Sequence, residues 1–306
     1  MYQNFFKPFP AGIQQPTSHD DAPQEPAEPI PQVDAQAVPT TTNATQPDIP
    51  PFDIDELSDL NSFFCTIVCG RRQGKTTLCE HLVDQHQKSK KPFTHIFLVS
   101  GTGAGFYPGV PKRFRSSDMS KLDEIEAGQK AVKEWNQSHP RKEWIKQKTL
   151  VIVDDCATSS AQCLRNSAAL ERAALNGRHW GHGGGEQGDP MKGNGVSYYV
   201  LSQSYTACTR RQRLNTDVCF CGFSPAHSEQ ELLLSENGFF TNTGRGGKQV
   251  GREFFRSVVN AVPYRFLAIM NFKQGKTALD KYVRTVDAVP RKRPRQWFGT
   301  ASDDDE

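Results

Sequence analysis

The residues best suited to chemistry lie in one short stretch, FFCTIVCGRRQGKTTL, at positions 63–78. An apolar run leads into a turn that carries two glycines, and Lys75 then opens a helical pattern. Glycine at positions 70 and 74 lets the backbone N–H groups of residues 71–75 surround an anion, and the N-terminus of the following helix adds its positive end. Lys75 would contact the β- and γ-phosphates of a nucleotide, and the Thr76 hydroxyl would bind Mg²⁺.

This stretch departs from the usual phosphate-binding spacing by one residue. The usual pattern has four residues between its first glycine and Gly-Lys-Ser/Thr, which would put that glycine at the position of Cys69. A second Gln-Gly-Lys-Thr at 274–277 also follows an apolar run, but it has no glycine upstream. We therefore assign phosphate binding to the first copy. The predicted cofactor-binding residues of this phosphate loop are Gly70, Arg71, Arg72, Gln73, Gly74, Lys75, Thr76 and Thr77.

Polar side chains follow two other apolar runs. The run at 149–153 (TLVIV) leads into Asp154 and Asp155, and the run at 195–202 ends just before Gln203. Beside a phosphate loop, a carboxylate at a strand end holds Mg²⁺ or its waters, and a neighbouring acid can orient the attacking water. An amide at such a strand end can sense the γ-phosphate or hold the water. The alternative for both positions is a turn that uses these side chains as caps.

Alternating strand and helix patterns position these residues. Predicted strands cover 63–68, 94–99, 149–153, 195–202, 216–223 and 263–272, and predicted helices cover 77–87, 119–135, 168–176, 227–236 and 251–260. The alternation predicts an α/β fold with a mainly parallel sheet and helices on both faces.

Composition divides the 306 residues into three parts. Residues 1–55 are rich in Pro, Gln and Ala, and we expect them to be disordered; 56–286 would form one ATPase domain, and 287–306 a basic and then acidic tail. The net charge is only +3, and the 8 cysteines form no C-x-x-C pair, so we expect reduced, intracellular thiols. No apolar run approaches the roughly 20 residues of a membrane span, so no membrane partner is expected.

The order of these motifs resembles a known family. The short phosphate loop, then LVIVDDC, NGRH, and VLSQS followed by RRQRLNTDV are similar to the poxvirus-type viral genome-packaging ATPases. These ATPases are the viral branch of the FtsK/HerA superfamily of P-loop NTPases, and they also occur in giant viruses, virophages and polinton-like elements. The resemblance covers roughly residues 61–272. It implies a RecA/FtsK-HerA-like fold, ATP and Mg²⁺ as cofactors, and a motor that moves double-stranded DNA into a capsid.

The resemblance also implies roles for single residues. Lys75 and Thr76 would contact phosphate and Mg²⁺, Asp154 would be the metal carboxylate and Asp155 the acid next to the water. Gln203 would be the sensor. Arg178 would reach the γ-phosphate of a neighbouring subunit, with Arg213 as the rival. Candidate contacts to DNA phosphates are Lys112, Arg113, Arg115, Arg210 and Arg211, and each is alternatively a solvated surface charge.

Partners and location follow from the same resemblance. We expect a homo-hexameric ring, sequence-independent contact with double-stranded DNA, and a capsid or portal protein as partner. The protein would act in the infected host cell, with possible virion association. The basic cluster from Pro290 to Arg295 is typical of a nuclear-import signal. The expected location is therefore the nucleus, or otherwise a cytoplasmic virus factory.

Two other functions use the same phosphate loop. A small-molecule or nucleotide kinase would need an arginine-rich lid and an acceptor pocket, neither of which the sequence identifies. A non-catalytic switch or scaffold would bind ATP only to order a docking surface, and the paired acids favour hydrolysis instead. DNA-stimulated turnover would separate the motor from both.

Overall fold

The computed structural model describes residues 49–60, 62–101, 107–154, 156, 164–180, 195–224, 226–237, 245–272, 282–289 and 297. These residues form one eight-stranded sheet with seven α-helices. The strands are β1 (Phe64–Val68), β2 (His95–Ser100), β3 (Arg115–Ser116), β4 (Thr149–Asp154), β5 (Val196–Ser202), β6 (Val218–Cys221), β7 (Arg265–Met270) and β8 (Val283–Asp287). The helices are α1 (Asp55–Ser58), α2 (Lys75–Lys88), α3 (Lys121–Ser138), α4 (Ala168–Asn176), α5 (Arg210–Leu214), α6 (His227–Glu236) and α7 (Arg245–Val259).

The strand order is β3-β2-β4-β5-β1-β6-β7-β8. The six strands from β3 to β6 are parallel to one another, whereas β7 and β8 pair antiparallel with their neighbours. Every residue of β1, β4 and β5 is buried, as expected for parallel strands that are covered on both faces. The predicted mainly parallel α/β fold is therefore confirmed.

Alternate side chains of the central strands pack on opposite faces of the sheet. In β6, Val218 and Phe220 join the core that includes α2, whereas Cys219 and Cys221 join the core formed with α6 and α7. Helices therefore cover both faces of the sheet. Helix α2 is the first helix after β1 and packs on one of these faces.

Two segments outside residues 56–286 contact the described part of the domain. Phe52 packs against the α2 core, and its N–H donates to the Thr285 carbonyl at 2.8 Å, so the structured part begins before residue 56. At the other end Ala288 is buried, and the Trp297 indole N–H donates to Asp84 Oδ1 at 2.9 Å. Burial of these apolar side chains adds both segments to the domain. Residues 1–48 lie outside the described residues, and their disorder stays a prediction.

Four elements were not predicted from the sequence: α1, β3, α5 and β8. Each is short, and β8 (VRTVD) lies at an edge of the sheet, where three of its five residues are only partly buried. Helix α5 begins at Thr209, whose side chain accepts from the Gln212 N–H while the Gln212 side chain accepts from the Thr209 N–H. The sequence RRQRL has no apolar periodicity, so the helix that this capping box begins was not predicted.

Gly222 stands at a crowded point behind the phosphate loop. Its N–H donates to the Val68 carbonyl at 2.9 Å, and a Cβ at this position would come within 2.8 Å of both Cys69 Cβ and Phe266 Cε1. We expect Gly222→Ala to lower the free energy of unfolding by about 1–3 kcal/mol, because the neighbouring side chains must shift. Thermal unfolding of the purified protein measures this.

Gly177→Ala is the matched control for Gly222→Ala. Gly177 has helical φ and ψ of −54° and −33°, and an added Cβ would meet its nearest atom at an ordinary 3.5 Å. We expect its melting temperature to stay unchanged or to rise slightly. Equal melting temperatures for the two variants would contradict the packing argument.

Candidate nucleotide-binding site

The phosphate loop begins where β1 ends, between two neighbouring strands. The Cys69 N–H donates to the Ser202 carbonyl at the end of β5 at 3.3 Å, and the Gly70 N–H donates to the Phe223 carbonyl after β6 at 2.8 Å. Because both flanking strands bind the start of the loop, its position relative to the carboxyl edge of the sheet is set by the sheet itself.

The left-handed backbone of the loop lies at Arg72 and Gly74. Their φ angles are 61° and 87°, whereas Gly70 is not among the described residues with positive φ. Gly74 is the N-cap of α2, so the helix N-terminus begins at Lys75. Cys69 is buried at the position where the usual pattern has glycine, and burial raises the pKa of its thiol to about 12, so it stays neutral. The shifted glycine therefore leaves the strand–turn–helix geometry in place.

Lys75 bends back over the loop that precedes it. Its ammonium group donates to the carbonyls of Cys69 at 3.0 Å and Gly70 at 3.1 Å. These bonds hold the positive charge beside the N-terminus of α2, where the helix dipole also favours an anion. A phosphate group is the ligand that this combination suits best.

Thr76 and Asp154 meet across the sheet. The Thr76 hydroxyl donates to Asp154 Oδ2 at 3.2 Å, although 78 residues separate the two in sequence. A hydroxyl beside a carboxylate is an oxygen donor set that fits Mg²⁺, which typically completes its shell with phosphate oxygens and waters. Within the described residues no group of three or more His, Cys, Asp or Glu side chains could hold a metal. The Thr76 hydroxyl and the Asp154 carboxylate fit an ion that is bound jointly with a nucleotide.

Tyr107 is a contact of Asp154 that the sequence did not indicate. It is fully buried, and its hydroxyl donates to Asp154 Oδ2 at 2.8 Å. Burial, followed by the nearby Cys79 and Asp154, raises the pKa of Tyr107 well above its usual value, so it remains a donor. Asp154 is itself only 6% exposed, and these two donors orient its carboxylate.

Gln203 stands at the carboxyl edge of the sheet. It follows β5, the strand between β1 and β4, so it lies between the phosphate loop and Asp154, and its side chain is exposed. The turn that follows is held by Glu229, which accepts from the Tyr205 N–H at 2.6 Å and the Ser204 hydroxyl at 2.8 Å. Burial opposes the charge on Glu229, but these hydrogen bonds and those from Thr206 lower its pKa.

Arg178 lies at the opposite edge of the sheet from Lys75. It is exposed and lines a polar cavity of about 240 Å³ together with Phe64 at the start of β1 and Asp217 just before β6. Strand β1 separates the two edges by about 17 Å, at about 3.3 Å per residue. Arg178 therefore cannot reach a phosphate bound by Lys75 of its own subunit.

Arg213 is held inside the domain. Its guanidinium makes a two-pronged ion pair with Glu236 at 2.7 and 3.0 Å and donates to the Cys208 carbonyl at 2.7 Å. The side chain is 8% exposed and lies over the Tyr205 ring. Breaking a buried pair of this kind costs about 3–5 kcal/mol. Arg213 is therefore engaged within its own domain, whereas Arg178 is exposed.

The basic residues proposed to contact DNA lie on two separate elements. Lys112 and Arg113 are exposed just before the edge strand β3, whereas Arg115 donates to the Val110 carbonyl at 2.7 Å. On α5, Arg210 is exposed and Arg211 pairs with Glu171 at 2.9 Å. The structure thus engages Arg115 and Arg211 in internal contacts.

Some predicted residues lie outside the described part of the chain. These are Asp155, the second Gly-Lys-Thr at 274–277 and the basic cluster from Pro290 to Arg295. Conversely, the structure adds three residues to the site. A cavity of about 420 Å³ beside the phosphate loop is lined by Glu80, Tyr264 and Ala288 as well as by Arg72 and Gly74–Thr77. Only the fold brings residues 264 and 288 here, and no local motif indicates them.

The strand order and the loop define the class of protein. A phosphate loop after a central strand, with its partner carboxylate two strands away and a polar strand end between them, gives the fold of a P-loop NTPase. No helix in the described ranges is long and apolar enough to cross a membrane.

Solved structures similar to this chain include a viral DNA-packaging ATPase, a conjugation coupling protein and EssC. The DNA-packaging ATPase B204 from Sulfolobus Turreted Icosahedral Virus shares 11% identity with a TM-score of 0.44, over 76% of this chain and 100% of B204. The pCW3 conjugation coupling protein TcpA shares 13% identity with a TM-score of 0.47, over 78% of this chain and 69% of TcpA. EssC (ATPases 2 and 3) from Geobacillus thermodenitrificans shares 12% identity with a TM-score of 0.46, over 76% of this chain and 40% of EssC.

No protein-family model and no curated protein sequence matches the chain. The function proposed for this chain rests on the geometry of its own residues and on its motifs.

Proposed function

We propose that this chain is an ATP-hydrolysing double-stranded DNA translocase that packages a viral genome into a capsid. The observation that carries the hydrolase part is the approach of Thr76 to Asp154 at 3.2 Å, beside Lys75 at the start of α2. These three residues come from two distant segments, and together they supply contacts that a nucleoside triphosphate with Mg²⁺ requires. The order of motifs after the loop supports the packaging part.

The residues of this site have distinct tasks. Lys75 and the N–H groups of the phosphate loop bind the β- and γ-phosphates, and Thr76 and Asp154 would hold Mg²⁺. The ion would offset negative charge on the phosphates when it is bound. Tyr107 keeps the Asp154 carboxylate in place through its 2.8 Å hydrogen bond. Asp155 and Gln203 orient the attacking water, which is a proposal from the motifs.

Arg178 completes the site from a neighbouring subunit. Arg178 lies at the other edge of the sheet, so it cannot contact the nucleotide of its own subunit. Its exposed guanidinium could contact the nucleotide of another copy. We propose a ring, a hexamer by resemblance to the family, in which each Arg178 approaches the γ-phosphate of the next subunit. In such a ring the exposed Lys112, Arg113 and Arg210 would contact backbone phosphates of DNA without reading sequence.

The experiment that tests this proposal is ATP hydrolysis with and without long double-stranded DNA. We expect DNA to stimulate hydrolysis, and the stimulation to fall between low and moderate salt because phosphate contacts release counterions. A random-sequence and a repetitive duplex of equal length should stimulate equally. Lys112→Ala/Arg113→Ala should reduce the stimulation and leave the DNA-independent rate unchanged, with the exposed Lys142→Ala as its matched control.

Three results would contradict the proposal. Hydrolysis that is indifferent to DNA would exclude the simple motor. Transfer of phosphate to a small molecule or nucleotide would favour a kinase. Tight ATP binding without turnover would favour a switch or scaffold.

We also propose that the protein acts in the infected cell together with a capsid or portal protein. The basic cluster from Pro290 to Arg295 would serve nuclear import, and a cytoplasmic virus factory is the alternative location.

A further inference from the structure

Tyr264 lies in a backbone conformation that aromatic residues avoid. Its φ is 62°, in a turn where the Arg265 N–H donates to the Val262 carbonyl at 3.3 Å. Pro263 occupies the second position of this turn and Tyr264 the third, which is the pattern of a type II turn, whose third residue is normally Gly or Asn. A side chain as large as tyrosine at this position needs a reason.

The surrounding structure holds this conformation firmly. The Ala288 N–H donates to the Tyr264 carbonyl at 3.0 Å, and the next residue, Arg265, makes a two-pronged ion pair with Asp287 at 2.7 and 3.0 Å. Contacts between the starts and ends of β7 and β8 therefore hold the backbone at Tyr264.

The ring stands next to the phosphate loop. A Cβ on Gly74 would lie 3.2 Å from Tyr264 Cδ1 and 3.4 Å from Ala288 Cβ. Among the described residues, the three with positive φ are Arg72, Gly74 and Tyr264, and all three line the same cavity of about 420 Å³. The described residues with a left-handed backbone thus meet at one site.

The cavity has a polar side and an apolar side. Thr76 and Asp154 meet on the side towards β5 and β4, whereas Tyr264 and Ala288 come from the side of β7 and β8. Tyr264 remains 47% exposed, and two exposed apolar residues flank this wall, Val262 at 37% and Val289 at 55%. A nucleotide with its terminal phosphates at the polar side would direct its base towards this wall.

We propose that Tyr264 is the stacking platform for the base of the bound nucleotide. This inference rests on the proposed function, because it assumes that the phosphate loop holds a nucleotide. An exposed aromatic face beside a phosphate-binding loop offers base stacking, which every purine can use because every base has a π-face. The platform adds affinity for the nucleoside part and none for the phosphates.

The test compares two probes on the full-length protein by calorimetric titration with Mg²⁺ present. One probe is a non-hydrolysable ATP analogue and the other is inorganic tripolyphosphate, which lacks the nucleoside. The variants are Tyr264→Asn, which suits the left-handed backbone but lacks the ring, and Tyr264→Phe, which keeps the ring. Lys75→Ala serves as the reference for loss of phosphate binding.

We expect Tyr264→Asn to weaken binding of the ATP analogue by about fivefold to a hundredfold, the range of base–aromatic stacking, and to leave tripolyphosphate binding unchanged. Tyr264→Phe should bind both probes as the wild type does, and Lys75→Ala should weaken both. A non-hydrolysable GTP analogue should respond to Tyr264→Asn as the ATP analogue does.

Two outcomes would overturn the inference while leaving the proposed function in place. Tyr264→Asn could leave both affinities unchanged, which would exclude stacking. It could also weaken both equally, which would make Tyr264 a packing residue for the phosphate loop. A wild-type protein that binds neither probe would instead overturn the proposed function, and this inference with it.

Discussion

Arg178→Ala is expected to lower the rate of ATP hydrolysis by about 10³- to 10⁵-fold while nucleotide binding persists, because an arginine supplied in trans neutralises charge that develops only in the transition state. Arg178 is exposed at the edge of the sheet opposite the phosphate loop. Any γ-phosphate that it contacts must therefore be bound by another copy. Steady-state hydrolysis together with calorimetric nucleotide binding separates the two effects.

The control for Arg178→Ala must also account for the effect of the Arg178 charge on Asp217. Burial raises the pKa of Asp217, and the positive charge of Arg178, together with the Phe64 N–H at 2.8 Å, opposes that shift. Arg178→Lys keeps the charge but lacks the planar guanidinium, so it should preserve the melting temperature and still lose most of the hydrolysis rate. Full activity in a folded Arg178→Lys or Arg178→Ala protein would exclude the trans role.

Mixed rings provide the sharper measurement. Lys75→Ala and Arg178→Ala are each expected to be inactive alone, but a ring assembled from both contains interfaces with one intact Lys75 and one intact Arg178. Co-assembled rings should therefore hydrolyse ATP faster than the sum of the two separate variants. A rate no higher than that sum would reject the assignment, provided that tagged subunits demonstrate mixing.

Lys75→Ala is expected to have the second largest effect. We expect hydrolysis to fall by about 10²- to 10³-fold, the usual effect of removing one donor to a developing charge. Nucleotide binding should weaken as well, because the variant loses the positive charge at the N-terminus of α2. Lys75 also donates to the carbonyls of Cys69 and Gly70, so its removal takes two internal bonds from the loop.

Lys142→Ala is the matched control, because Lys142 is exposed and lies outside the site. It should retain the wild-type rate and the wild-type melting temperature. Retained hydrolysis in Lys75→Ala would contradict the assignment of the phosphate loop and turn attention to the second Gly-Lys-Thr at 274–277.

Much of the fold could be predicted because parallel strands and phosphate loops have strong local patterns. The apolar runs of β1, β4 and β5 are buried at every position, and α4 and α6 have the predicted bounds. The short edge elements could not be predicted, since β8 is only partly buried and depends on its pairing with β7. The contacts of the segments outside residues 56–286 could not be predicted for the same reason. Phe52 and Trp297 are isolated aromatic residues in polar segments, and only the tertiary structure shows that they are partly buried against the core.

The candidate site divides in a similar way. The sequence by itself determined the residue types of the phosphate loop and of the acid that ends β4. Strand, turn and helix must follow one another for an anion to bind. Only the tertiary structure decided which distant residues join them. The parallel order of β4, β5 and β1 brings Asp154 to Thr76, and the antiparallel return of β7 and β8 carries Tyr264 to Gly74. The ion pair between α5 and α6 holds Arg213 on Glu236, whereas Arg178, after α4, is exposed, and local sequence pattern does not show this difference.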